Sequence, residues 1–213
     1  MSKAASAPTH TPPKVMAIGA HPDDIELGCG ATLAKLAAEG TGVRAIVLSA
    51  GRRGAENDVD RCSETRSALS LLGINDVVQF NFPDTELAGS LNEIIRELEK
   101  QNEEFNPVRL YTMFGEDRHQ DHRAVYQASM VAFRNTPQVL GYETPSSFPH
   151  FVPTVFEQVE AFLERKIECL AFHESQQHRT YMQPGQVLCT ALFRGVQANS
   201  GPSEGFIPYK MVL

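Results

Sequence analysis

Val15-Met16-Ala17-Ile18-Gly19-Ala20 runs straight into His21-Pro22-Asp23-Asp24, and much further along Val108-Arg109-Leu110-Tyr111-Thr112-Met113 is followed by His119-Gln120-Asp121-His122. Both apolar runs are short and β-rich, as buried parallel strands are. Each polar cluster therefore leaves the carboxyl end of a strand. In an open α/β sheet those ends lie along one edge and ligands bind in the crevice there, so residues about a hundred positions apart can meet.

The residue types say what they would do on meeting. Two imidazoles and a carboxylate form a nitrogen and oxygen donor set that suits zinc, and three protein ligands leave a position open for water. Zinc lowers the pKa of bound water to about 7, and a second carboxylate beside the ligand can take the proton. Asp23 and Asp24 offer that pairing. Spacing alone leaves either His119 or His122 to face the metal. Asp121 can equally cap a helix starting near Arg123.

These residues resemble a known family, the PIG-L and LmbE-like zinc-dependent N-acetylglucosaminyl deacetylases. The likeness rests on Ala20-His21-Pro22-Asp23-Asp24 with His119-x-Asp121-His122. It extends through Arg61-x-x-Glu64 before Leu72-Gly73, Phe82-Pro83-Asp84, Ser175-Gln176 after a helix bearing Lys166, and Glu204-Gly205-Phe206. It covers nearly all of the chain after residue 13. The resemblance implies His21, Asp24 and His122 as metal ligands, with Zn2+ as the cofactor or Fe2+ or another divalent ion in its place. It implies Asp23 as general base, and His119 as a cation steadying the oxyanion, tuned by Asp121. Arg61, Arg53 and Asp84 would contact substrate. Two features depart from the family pattern: Gly51-Arg52-Arg53-Gly54 stands where members often have Gly-Glu-x-Gly, and Ile25 separates the paired aspartates from Glu26.

The implied reaction is hydrolysis of an acetamide on an N-acetylated amino sugar, giving acetate and a free amine. Two other classes share parts of the pattern. A non-haem iron oxygenase uses the same two-histidine, one-carboxylate set, and a noncatalytic binding module can carry a metal as a staple, although structural zinc sites are usually closed by four ligands.

Composition narrows the field. The 213 residues are 42% hydrophobic, enough for one domain with a substantial core. A formal charge of -7 opposes nucleic-acid binding, which depends on excess Lys and Arg; a small-molecule partner fits better. No run of about eighteen apolar residues suggests a membrane span, and Met1 to Pro13 lacks the apolar core of a signal peptide. The expectation is a disordered tail over 1–13 and a single domain over 14–213, in a cytoplasmic protein. Cys29, Cys62, Cys169 and Cys189 are scattered, which points to free thiols. The resemblance adds a homo-oligomer.

Along the chain, helices are expected over Cys29–Glu39, Asp58–Leu72, Ser90–Glu104, Arg123–Arg134, Glu157–Phe172 and Gly185–Gln197, with further strands over Val43–Ser49, Asp76–Phe80 and Gln138–Tyr142. The alternation implies an α/β fold, a Rossmann-like three-layer sandwich around a mostly parallel sheet. Gly28-Cys29-Gly30 lacks the third glycine of a dinucleotide fingerprint and reads as close helix-to-sheet packing. Polar loops over 51–57, 81–89 and 175–184 would overhang the carboxyl edge as pocket walls. Arg52 and Arg53 there are either a solvated loop or a weak hint of an anionic substrate group, and Tyr181 can reach the pocket. His150, His173 and His178 fit no ligand spacing.

Overall fold

The computed structural model describes residues 12–54 and 59–212. Its sheet is built on five parallel strands: β1 (Lys14–Gly19), β2 (Gly42–Ser49), β3 (Asp76–Phe82), β4 (Arg109–Met113) and β5 (Gln138–Tyr142). Two antiparallel strands, β6 (Val155–Gln158) and β7 (Ser203–Met211), complete it in the order β3-β2-β1-β4-β5-β7-β6. β1, β2 and β4 are buried along nearly their whole length, as strands covered on both faces must be.

Helices cover both faces. α1 (Asp24–Ala38) packs against α5 (Glu160–Leu170) and α2 (Arg61–Leu71), and α5 also meets α6 (Pro184–Gln197). α3 (Leu91–Phe105) and α4 (Gln120–Ala132) form the other layer. The chain runs from β1 outward through β2 and β3, then returns to β4 on the other side of β1. That reversal opens a crevice beyond the carboxyl ends of β1 and β4, where ligands of such sheets bind. The two clusters that follow those strands meet there.

The expected α/β sandwich is present, and the differences lie in its second half and at helix ends. Residues 155–158, partly read as helix, form the short edge strand β6. β7 was not anticipated, because Pro208 breaks its pattern and the β5 register shifts beside Leu140. α4 starts three residues early because His119 caps it, its Nδ1 accepting from the Asp121 backbone N–H at 3.2 Å. Most of the expected N-terminal tail, and Asp58 at the expected start of α2, fall outside the described residues.

α1 begins at Asp24 rather than Cys29, and Cys29 itself is a non-helical kink (φ -144, ψ 18). A break inside a helix frees backbone groups that must find partners. Here the Ala31 and Thr32 amides donate to the Glu204 carboxylate (3.2 and 2.7 Å), and Lys166 Nζ donates to Leu27 O and to Glu204 Oε1, both at 2.6 Å. Gly28 allows the kinked helix to lie against the sheet: a Cβ there would sit 2.1 Å from the Tyr142 ring. The sequence marks at Lys166 and Glu204 thus secure the helix that carries Asp24.

Candidate metal centre

Asp24 stands at the middle of the cluster. Its Oδ2 accepts the His21 backbone N–H (2.8 Å) and lies 3.4 Å from His21 Nδ1, while its Oδ1 lies 3.3 Å from His122 Nε2. Each histidine meets a carboxylate on its other nitrogen. His21 Nε2 is 3.1 Å from Asp121 Oδ2 and 3.2 Å from Asp84 Oδ1, and His122 Nδ1 is 3.2 Å from Asp117 Oδ2. Carboxylates placed behind imidazoles fix ring orientation and raise basicity, as they do behind metal-bound histidines.

The electrostatics agree with the geometry. Burial opposes the charge on Asp24, but the His122 and His21 rings hold its carboxyl well below the usual range. Burial also works against a charged His122, yet Asp24 and Asp117 push it up to about 9. A field that favours a proton on these rings favours a divalent cation still more, so the donor set fits a metal. Two groupings of possible ligand atoms emerge among the described residues, His21 with His119 and His122, and His21 with Asp84 and Asp121. The second is better described as the carboxylate backing of His21, since Asp121 is also occupied by the Thr85 and Leu87 amides (2.7 and 3.1 Å).

Asp23 is held beside this group in a conformation that L residues seldom adopt, φ 105 and ψ -25. Such strain costs about 1–3 kcal/mol and concentrates at functional positions. Burial, then the neighbouring Asp24, pushes its carboxyl up to about 6. Arg61 is buried and donates to Asp23 Oδ2 (3.2 Å), to Gly51 O and to Pro22 O (both 2.7 Å). Arg61, expected to contact substrate, lines the same pocket as Asp23, and its fork also fixes the turn that presents Asp23.

His119 Nδ1 accepts a backbone N–H, so the proton of the neutral ring sits on Nε2. Burial and the nearby His21 and His122 rings hold its pKa below the ordinary value. The Asp121 carboxylate lies against His21 (3.1 Å) and favours a charge on His119 only through space. Asp84 and Arg53 were expected to touch substrate. Both line a pocket of about 320 Å3 that also includes His21, Asp23, Asp24, His119 and His122. Asp84 accepts the Arg53 backbone N–H (2.7 Å) as well as facing His21, and the Arg53 guanidinium pairs with Glu86 (2.7 Å) in the open.

Sequence reasoning missed Asp117, Glu26 and His173. Asp117 takes the His119 amide (2.8 Å) and the Thr144 and Ser146 hydroxyls (2.7 and 2.6 Å) while backing His122. Its position in the loop after β4, two residues before His119, was the available signal. Glu26 and His173 form a fully buried pair (3.0 Å) beneath the site; nothing in their spacing announces it.

Comparison with known proteins gives the family. The profile described as PIG-L, GlcNAc-PI de-N-acetylase, matches residues 16–133. The uncharacterized deacetylase YaiS of Escherichia coli K12 is 49% identical over 167 residues, 76% of this chain and 90% of that protein. The diacetylchitobiose deacetylase of Thermococcus kodakarensis is 26% identical over 196 residues, 76% of this chain and 70% of that one. The crystal structure of GalB, the 4-carboxy-2-hydroxymuconate hydratase of Pseudomonas putida KT2440, superimposes with a TM-score of 0.79 at 18% identity over 94% of this chain and 98% of that one. This last likeness shows the shared fold alone, and that one fold serves different reactions. The profile and the Escherichia coli relative both span more of the chain than the two clusters, and the chain belongs to the PIG-L family of deacetylases.

Proposed function

We propose that the protein is a metal-dependent hydrolase that removes the acetyl group from an N-acetylated amino sugar of the N-acetylglucosamine type. The observation that carries this reading is the placement of His21 Nδ1 and His122 Nε2 about one Asp24 carboxylate, with the strained Asp23 carboxylate lining the same pocket. Family membership and the deacetylase relatives support the amide as the bond cleaved.

His21, Asp24 and His122 are the residues that would hold the ion. Bound there, a zinc ion supplies Lewis-acid polarisation of a carbonyl and acidifies water. Asp23 takes the proton of the attacking water as the C–O bond forms, and returns it to the nitrogen as the C–N bond breaks. A base that stays ionised at neutral pH yet holds a proton readily suits both halves of that transfer. His119 donates its Nε2 proton as a hydrogen bond to the carbonyl oxygen as charge grows on it. Arg61 keeps Asp23 in the rare conformation the turn requires. Acetate and the amine then leave.

The test is release of free amine from a panel of N-acetylglucosamine conjugates by wild type and by Asp23→Asn. Release by wild type that falls by about 10²-fold to 10⁴-fold in the variant is the expected result. Oxygen consumption with Fe2+ and no amine release would instead favour the oxygenase class.

A further inference from the structure

The outer face of α6 differs from the rest of the surface. Leu188, Leu192, Phe193 and Val196 are 41–78% exposed on successive turns of this helix, so they form one continuous stripe. The opposite side of α6, with Val187, Ala191 and Arg194 buried, packs on β6 and β7. The stripe runs on into the 148–153 segment, because the Arg194 guanidinium lies 5.2 Å from the ring centroids of both Phe193 and Phe151. Val152, next to Phe151, is 65% exposed.

Charge is missing from the same face. Lys, Arg, Asp and Glu make up 21% of the chain, yet within 145–156 and 183–203 Arg194 is the one such residue. It is turned inward, donating from Nε and Nη2 to the two oxygens of Glu143 (2.7 and 2.5 Å). At roughly 150–200 Å2 for a large side chain in water, the five apolar residues leave on the order of 500 Å2 uncovered, a patch of the size that marks an interaction site. Cys189 and Gln197, uncharged and exposed, extend it toward the roughly 800 Å2 that each partner contributes to a standard interface.

What covers the stripe follows from charge and symmetry. Residues 1–11, 55–58 and 213 bring only Met1 and Leu213 as large apolar side chains, far short of what the stripe would need. Anionic lipid is held by Lys and Arg beside an apolar helix face, and this face presents neither. A second copy of the chain offers a matching surface. With a formal charge of -7 on each, two copies repel one another least where neither carries charge. The stripe is also self-complementary: Leu188 and Val196 stand four residues to either side of Leu192. An antiparallel α6 from a two-fold related copy therefore sets Leu192 against its own counterpart and Leu188 against Val196 of the second copy, as an isologous contact requires.

We propose that the outer face of α6 is a two-fold interface through which two copies of this chain associate, with Leu192 at the axis. Sedimentation equilibrium of the full chain tests it, with circular dichroism to follow folding. Wild type should sediment as a dimer or a multiple of dimers, half-dissociating below about 10 µM. Leu192→Glu and Leu192→Lys should each halve the mass, since like charges meeting on the axis weaken association by about 100-fold or more. An equal mixture of the two variants should recover the wild-type mass, which misfolded chains cannot do. Val196→Glu, at the most exposed position of the stripe, should weaken association with the circular dichroism unchanged. Val131→Glu, 44% exposed on α4 in the other helical layer, should leave the mass as it was. Wild type that stays monomeric at about 100 µM overturns the proposal. An assembly that survives the α6 substitutions does the same, as does a mixture no heavier than its parts. Monomeric wild type that floats with phosphatidylcholine vesicles, where Val196→Glu does not, would give the face to a lipid surface instead.

Discussion

Replacing Arg61 by Met separates two roles that the same residue could hold. In the structure its guanidinium is 5% exposed and serves Asp23 Oδ2, Gly51 O and Pro22 O at once. Met keeps much of the stem but removes the fork, leaving a buried carboxylate without its cation and two carbonyls without donors. Loss of one member of a buried pair costs about 3–5 kcal/mol, which for a chain of this size lowers Tm by roughly 6–20 °C. The strained backbone at Asp23 would relax once the fork is gone, and the carboxylate would leave its position beside the metal group. Arg61→Met should therefore unfold at lower temperature and, below its transition, show kcat reduced by about 10²-fold or more with KM little changed, the pattern of a lost transition-state contribution. Arg61→Lys should recover stability in part, since a single ammonium cannot reach three acceptors in fork geometry. Thermal unfolding followed by circular dichroism, and initial rates of amine release, read both effects. A stable variant whose KM rises while kcat holds would refute this reasoning and return Arg61 to the substrate.

Further outcomes follow from the same contacts. Asp23→Asn should lose turnover and keep its metal, with Tm changed little, because removing a charge that burial and Asp24 disfavour offsets the loss of the ion pair with Arg61; metal analysis beside kinetics checks it. His122→Ala should lose metal before it loses fold, seen as a fall in metal content with the α/β circular dichroism signal retained. Lys166→Met should destabilise by about 3–5 kcal/mol in urea unfolding, since Glu204 would keep its charge in a buried site without the ammonium that faces it. Gly28→Ala should cost about 1–3 kcal/mol through the Tyr142 clash, against the smaller gain Ala brings to a helix.

Much of this architecture was legible because its information is local. Apolar runs ending at His21 and near His119 declare strands and the edge they share, and alternation of strand and helix fixes a parallel sheet. That histidines and aspartates gather at one sheet edge followed from residue type and strand ends, while the choice of His122 over His119 as a ligand came from the family resemblance alone. What stayed hidden depends on partners far away in sequence. Asp121 looks like a helix cap from its neighbours, yet its carboxylate is drawn to His21 and to the Thr85 and Leu87 amides by the fold of the 83–90 segment. Nothing in the spacing of Arg61 announces its hold on Gly51 O, Pro22 O and Asp23, which appears only when the 51–54 turn closes over it. β7 carries a proline in a strand, a pattern that argues against a strand when read alone. The Glu26 and His173 pair joins groups 147 positions apart, a contact no spacing rule can suggest.

The central claim is that His21, Asp24 and His122 hold a divalent metal on which amide cleavage depends. The most direct measurement takes one sample of the wild-type protein through chelation and zinc return, with metal content and amine release from an N-acetylglucosamine conjugate recorded at each stage. Amine release should disappear with the metal and return with it, with no such recovery in His122→Ala. Amine release that persists after the metal is gone, or zinc bound as firmly by His122→Ala as by wild type, would contradict that claim.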